Sequence, residues 1–195
     1  MKTIFVTQRE DLISGELRDN LDIRWIQFLY NCNIQPIVIP NNENILKIYL
    51  EKFQSDGVLL TGGGLIASLG GNDKRDKIEK ILIRYCIKNN KPLLGVCRGM
   101  QQIQAYFGIK LKKINNHVNN KFRINFENID RIINSYHDYG TDVTNEDLIV
   151  TSRSNDNIIK SVTHVKYNIN GIMWHPERNL SFDKIDINLF RKIYV

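Results

Sequence analysis

The sequence predicts an α/β protein with a mostly parallel central sheet, helices on both of its faces, and an added antiparallel portion in the C-terminal half. Two patterns lead there. Up to residue 107, short apolar runs alternate with stretches of helical period, whereas after residue 110 the runs follow one another with turns between them. Strand–helix alternation marks a parallel sheet, whose strands are covered on both faces and therefore apolar throughout.

Residues 2–7 form a short apolar stretch that meets Gln8, Arg9, Glu10 and Asp11 at once. A signal peptide needs a longer apolar region and a small-residue cleavage site, so the stretch reads as a first strand. Leu21, Trp25, Phe28 and Leu29 recur at helical spacing, and residues 35–39 return to an apolar run suited to a buried strand. A helix over 43–53 leads to a strand at 57–60 and a glycine loop. Ile78, Ile81, Leu82 and Tyr85 mark a helix over 74–89, residues 92–96 read as a strand, and 98–107 as a helix. In the second half, strands are expected at 122–126, 147–152, 161–167 and 170–174, before a final helix at 183–193. No repeat, linker or low-complexity segment interrupts the pattern, so residues 1–195 are expected to form one domain.

The apolar share of 42% and charged share of 25% are those of a water-soluble globular protein. No run approaches the roughly 18 to 20 apolar residues of a membrane span, which makes the cytoplasm the expected location. Cys32, Cys86 and Cys97 are widely spaced and odd in number, which argues against both a disulfide framework and a zinc site. Cys32 and Cys86 each end an apolar helical pattern and read as core residues. The net charge of +6 favours an anionic partner. Its lysines and arginines are scattered, without interleaved aromatics, which points away from nucleic acid and to a plain solvated face or attraction of a small anionic substrate.

Gly95-Val96-Cys97-Arg98-Gly99 fits the pattern glycine, any residue, nucleophile, any residue, glycine, with an apolar strand before it and a helix after. A sharp strand-to-helix turn projects the nucleophile at a helix N-terminus, where the dipole favours a thiolate over a thiol whose free pKa is about 8.5. The backbone N–H of Arg98 is then free to stabilise an oxyanion. His175 is the best-placed base, because Pro176 holds it extended. Residues i and i+2 of an extended segment lie on one side, so Glu177 can hold one ring nitrogen while the other faces Cys97. His117 and His164 read as bystanders, and His137 sits in a loop rich in hydroxyls and amides at 134–140. Thr61-Gly62-Gly63-Gly64 follows a strand but lacks the Gly-Lys-Ser/Thr ending of a P-loop. A second oxyanion donor suits it better, one such donor contributing roughly 10²- to 10³-fold in rate.

The stretch Gly95-Val96-Cys97-Arg98-Gly99-Met100-Gln101, followed later by Trp174-His175-Pro176-Glu177, resembles the class I glutamine amidotransferases. The likeness leans toward their γ-glutamyl hydrolases, such as γ-glutamyl-γ-aminobutyrate hydrolases, through Arg98, through Arg75, Asp76 and Glu79, and through Asn134, Ser135 and His137. By spacing alone, Arg75 and Glu79 form an i,i+4 pair on a helix face, worth roughly 0.2–0.5 kcal/mol. The resemblance implies a flavodoxin-like sheet, an oxyanion hole from Gly63 and Arg98, and a glutamyl site at Gly64, Gln101, His137 and the Ser135–Tyr136 backbone. It departs in Asp138, where the family often has a second histidine, and in a shorter segment over 110–133.

The implied chemistry is hydrolysis of a γ-glutamyl amide through a glutamyl thioester on Cys97, with His175 and Glu177 as the base relay. Neither metal nor organic cofactor is implied, and the protein is expected as a monomer or homodimer. The most specific substrate expectation is γ-glutamyl-CDP-amidate of capsule phosphoramidate synthesis, which suits a small basic hydrolase. The rival is a glutaminase subunit that delivers ammonia to a partner synthase.

Overall fold

The computed structural model describes residues 1–195. The chain opens with β1 (Lys2–Thr7), a hairpin of β2 (Arg9–Ile13) and β3 (Glu16–Asn20), helix α1 (Ile23–Asn31) and β4 (Ile34–Ile39). Helix α2 (Glu43–Lys52), β5 (Gly57–Leu60), α3 (Asp73–Asn89), β6 (Leu93–Val96) and α4 (Arg98–Tyr106) complete the alternating half. The second half holds the short β7 (Lys112–Lys113), a hairpin of β8 (Val118–Phe126) and β9 (Ile129–Tyr136), and the short β10 (Tyr139–Gly140). Strands β11 (Leu148–Arg153), β12 (Ile159–His164) and β13 (Ile169–Ile172) precede helix α5 (Lys184–Tyr194).

Seven strands form the central sheet in the order β11-β12-β13-β6-β5-β1-β4. From β4 to β13 the neighbours run parallel, and β12 and β11 extend that edge antiparallel. Alternation along each strand sends its side chains to two separate cores. Ile4, Val6, Leu59, Leu94 and Val96 pack with Trp25, Phe28, Phe190 and Trp174, so α1 and α5 cover that face. Phe5, Val58, Leu60 and Leu93 pack with Leu46, Ile78, Leu82, Met100 and Ile103, which places α2, α3 and α4 on the other. Cys32 and Cys86 are buried in these cores, as their sequence context predicts. No helix is long and apolar enough to cross a membrane.

Four helices begin on a side chain that accepts a backbone N–H: Asp22 for α1, Asn42 for α2, Asn72 for α3 and Asp183 for α5. Helix α4 has no such cap, and Cys97 occupies the position. Strand register sets the consequence: Leu60 stands beside Gly95 and Val96 beside Ile172, so β5, β6 and β13 end together. The glycine loop, Cys97 and the segment leading to His175 therefore leave the sheet side by side at its carboxyl edge, where open α/β sheets hold ligands.

Two features depart from expectation. The hairpin of β2 and β3 occupies a stretch to which the sequence assigns no element. Residues 134–136, expected in a loop, form the end of β9, paired with β8.

Candidate active site

The turn at Cys97 is built by close approach. A Cβ on Gly99 would lie 2.2 Å from the Leu60 carbonyl oxygen, so only glycine lets α4 press this tightly on the end of β5. Cys97 itself has φ 53° and ψ −104°, a left-handed conformation that non-glycine residues adopt at a cost of about 1–3 kcal/mol. The strain points its thiol out of the strand-to-helix turn. Arg98, as the first helical residue, keeps a backbone N–H with no partner inside the helix.

His175 is gripped at its backbone and at its ring. Its N–H donates to Asn134 Oδ1 at 2.8 Å, and its carbonyl accepts from Asn134 Nδ2 at 2.8 Å. On the ring, Nδ1 stands 2.7 Å from Glu177 Oε1. Glu177 can only accept when ionised, so Nδ1 carries the proton and Nε2 is the basic atom. That Nε2 is buried and makes no hydrogen bond. A Cβ on Gly62 would lie 2.6 Å from His175 Cε1 and 3.5 Å from Cys97 Cβ, so a bare glycine is all that fits against both groups. Arg24 donates to the Glu177 carbonyl at 2.6 Å and fixes the segment from α1.

Arg75 orients the glycine loop. Its guanidinium donates to the carbonyls of Thr61 at 2.6 Å, Gly62 at 3.2 Å and Gly63 at 2.8 Å. In a trans peptide the N–H points opposite to the C=O. With the carbonyls of Gly62 and Gly63 turned toward Arg75, the N–H groups of Gly63 and Gly64 point away from it. Gly63 and Gly64 line a cavity of about 250 Å³ together with Cys97, Gln101, Tyr136, His137, Tyr139 and His175.

The structure thus brings Cys97, His175, Gly63, Gly64, Gln101, Tyr136 and His137 to one cavity, with Glu177 directly behind His175. It does not bring the side chains of Ser135 and Arg98 there. Ser135 is buried with its hydroxyl 3.4 Å from Lys160 Nζ, which leaves its backbone alone for the role the resemblance implies. Arg98 turns its guanidinium inward, 2.5 Å from Asp76 Oδ1, and pairs with Glu79 Oε2. Glu79 also accepts from Arg75 Nε at 2.8 Å and from Thr7 Oγ1 at 3.2 Å. Arg75 and Glu79 form the i,i+4 pair that their spacing gives, but both are buried, in a network that joins α3 to the turn at Cys97 rather than a lone pair worth a few tenths of a kcal/mol. His117, expected as a bystander, is buried beside Lys160 and lines no part of the cavity. Asn134 and Arg75 are positioning groups that spacing did not reveal, and neither did it reveal the buried Lys160 beside His137.

Electrostatics separates Cys97 from its two fellow cysteines. Burial pushes the Cys32 thiol up to about 12 and raises Cys86 further. Burial pushes Cys97 up as well, but the charge of His175, with a smaller contribution from Arg178, outweighs it and brings the thiol below its ordinary value. Burial pulls His175 down, yet the charges of Cys97 and Glu177 raise it to about 9. A thiolate–imidazolium pair therefore exists between the lowered thiol pKa and about 9, lost by sulfur protonation below and by loss of the ring proton above. Alkylation of Cys97 by iodoacetamide, followed against pH, is expected to begin below the ordinary thiol pKa of about 8.5. A profile that rises only at that value would sink the ion pair.

The family model for glutamine amidotransferase class-I matches residues 20–191. Over 133 residues the chain is 37% identical to a Campylobacter jejuni protein named γ-glutamyl-CDP-amidate hydrolase, a match that covers 67% of this chain and 66% of that one. The chain thus spans just under two thirds of that relative. It is 34% identical over 161 residues to anthranilate synthase component 2 of Saccharolobus solfataricus, covering 73% and 77% of the two chains. Among solved structures, a Thermoplasma acidophilum protein superposes with a TM-score of 0.75 at 18% identity, covering 100% of this chain and 92% of that one. A glutamine amidotransferase of Thermotoga maritima gives 0.68 at 14% identity, covering 98% and 83%. Both structures share the fold.

Proposed function

The chain belongs to the class I glutamine amidotransferase family, and from that premise we propose that it hydrolyses a γ-glutamyl amide bond through a glutamyl thioester on Cys97. One observation carries the reading. Cys97, the Glu177-held His175 and the amides of the glycine loop leave adjacent strand ends and border one cavity of about 250 Å³.

In the first step the Cys97 thiolate attacks the γ-carbonyl carbon, and the carbonyl π electrons pass to oxygen. The N–H groups of Gly63 and Arg98 stabilise that O⁻, which is the largest service such a site can render. His175 Nε2–H gives its proton to the leaving nitrogen, the C–N bond breaks and the amine departs. Water then attacks the thioester, His175 takes its proton, and the C–S bond breaks to release glutamate and the thiolate. Gln101 Nε2 donates to the Tyr139 carbonyl at 2.9 Å, which leaves Gln101 Oε1 to accept from the substrate α-amino group. Neither metal nor cofactor takes part.

For the leaving group we propose a cytidine diphosphate amidate, on the strength of the likeness to the Campylobacter jejuni hydrolase. A second reading, favoured by the likeness to anthranilate synthase component 2, is a glutaminase that passes ammonia to a synthase partner. Both are tested by giving the purified protein glutamine, γ-glutamyl-γ-aminobutyrate and γ-glutamyl-CDP-amidate and measuring glutamate. Release from γ-glutamyl-CDP-amidate with little from glutamine is expected. Release from none of them, restored for glutamine by a partner protein, would favour the second reading.

A further inference from the structure

Behind the cavity wall lies a lysine that the reaction does not use. Lys160, on β12, is fully buried, and a cation out of water is costly unless its donors are satisfied. Its ammonium stands 2.8 Å from His117 Nδ1, 2.9 Å from His137 Nε2 and 3.4 Å from Ser135 Oγ, with the Phe122 ring 4.4 Å away. No carboxylate touches it. The cluster's one counter-charge, Asp156, is an imidazole away, 2.7 Å from His117 Nε2 and half exposed.

The outer partners fix both tautomers. His137 Nδ1 lies 2.9 Å from the Tyr139 carbonyl, which can only accept, so Nδ1 carries the proton and Nε2 accepts from Lys160. His117 Nε2 donates to Asp156, so its Nδ1 likewise accepts from Lys160. Both rings are thus neutral and the lysine holds the charge. Burial, reinforced by the Lys160 charge, holds His137 down at about 3, and burial brings Lys160 itself to about 8.

A continuous line of hydrogen bonds runs from Lys160 through His137 to the Tyr139 carbonyl, which also accepts from Gln101 Nε2. His137, Tyr139 and Gln101 all line the Cys97 cavity. The cation stands one side chain behind that wall, in a dry interior where its field is weakly screened. The charged side chains on the same wall, Asp138 and Arg178, are both exposed at the surface, with Arg178 lying over the Tyr136 ring at 4.5 Å. We propose that Lys160 is a specificity-determining cation of this cavity: by its charge, felt across His137, it selects a substrate whose glutamyl group carries a free α-carboxylate. The inference rests on the γ-glutamyl reading of the site.

The test is calorimetric and needs no turnover. L-Glutamate carries the α-carboxylate, and L-isoglutamine replaces it with an amide of the same shape. Wild-type protein is expected to bind glutamate more tightly, and Lys160→Met to lose about tenfold of that preference, with isoglutamine binding unchanged. Equal weakening of both ligands, an unchanged preference, or no glutamate binding by wild type would overturn the proposal. Should Lys160→Met fail to fold, Asp156→Asn decides at the half-exposed end of the cluster. With the opposing anion gone, glutamate is expected to bind at least as tightly as before, and weaker binding overturns the proposal. Failure of the hydrolase reading looks different: wild type would then release no glutamate from any γ-glutamyl amide, whatever the two ligands do.

Discussion

Cys97→Ala is expected to reduce glutamate release by about 10⁴-fold or more, while L-glutamate binding and the urea midpoint stay close to wild type. The argument runs through what alanine removes and what it leaves. It removes the sulfur on which the proposed thioester would form. Loss of a nucleophile costs nearly as much as loss of all three members of a relay, because the members act as one unit. It leaves the turn intact, since alanine carries the same Cβ and meets the same backbone strain at φ 53°. Gly63 and Arg98 still offer their amides, so a small residual rate over solution is expected. Steady-state assay of γ-glutamyl-CDP-amidate cleavage, beside denaturation of both proteins, separates the two effects. A variant that keeps more than about one hundredth of the activity would remove Cys97 from the mechanism.

Glu79→Gln is expected to cost about 3–5 kcal/mol of stability. Glu79 is fully buried between Arg75 and Arg98, and its carboxylate is the only group that touches both. Glutamine keeps the shape but presents N–H donors toward guanidinium donors, which leaves buried positive charge without its counterpart. Marginal domains hold about 5–15 kcal/mol in all, so the variant should sit near the edge of folding. Urea denaturation checks it, and a loss below about 1 kcal/mol would mean that the network contributes no more than a surface pair. The folded fraction should be impaired too. Arg75 holds the carbonyls of Thr61, Gly62 and Gly63, and Arg98 begins α4, so both elements of the proposed oxyanion hole rest on this one carboxylate.

The alternating half was legible because its strands are buried on both faces and its helices carry one apolar stripe each. Residues 57–60 and 93–96 contain no exposed position, so nothing polar confuses the pattern. The hairpin of β2 and β3 was not legible for the opposite reason: no position in it is buried, and alternation has nothing to record. Its one signal is Ser14-Gly15, both at positive φ, a turn dipeptide between two short runs. Strand β9 failed differently. Its inward face carries Arg131, Ile133 and Ser135, two of them polar, because Arg131 meets buried Asp186 at 2.8 Å and Ser135 faces Lys160. The line of Cys97, His175 and Glu177 could be read because proximity in the fold follows from strand ends and a two-residue offset. Arg75 and Asn134 stood out only through the resemblance and Lys160 not at all, since each acts on a backbone or ring that only the tertiary structure brings within reach.

The left-handed backbone at Cys97 has a consequence for how such a chain ages under selection. Position 97 holds a cysteine in a conformation natural to glycine. A lineage in which turnover no longer matters would gain stability by placing glycine at that position, about 1–3 kcal/mol by the strain alone. On the proposed mechanism, thermodynamics and fitness pull position 97 in opposite directions, and continued use of the reaction would keep the less stable sequence in place.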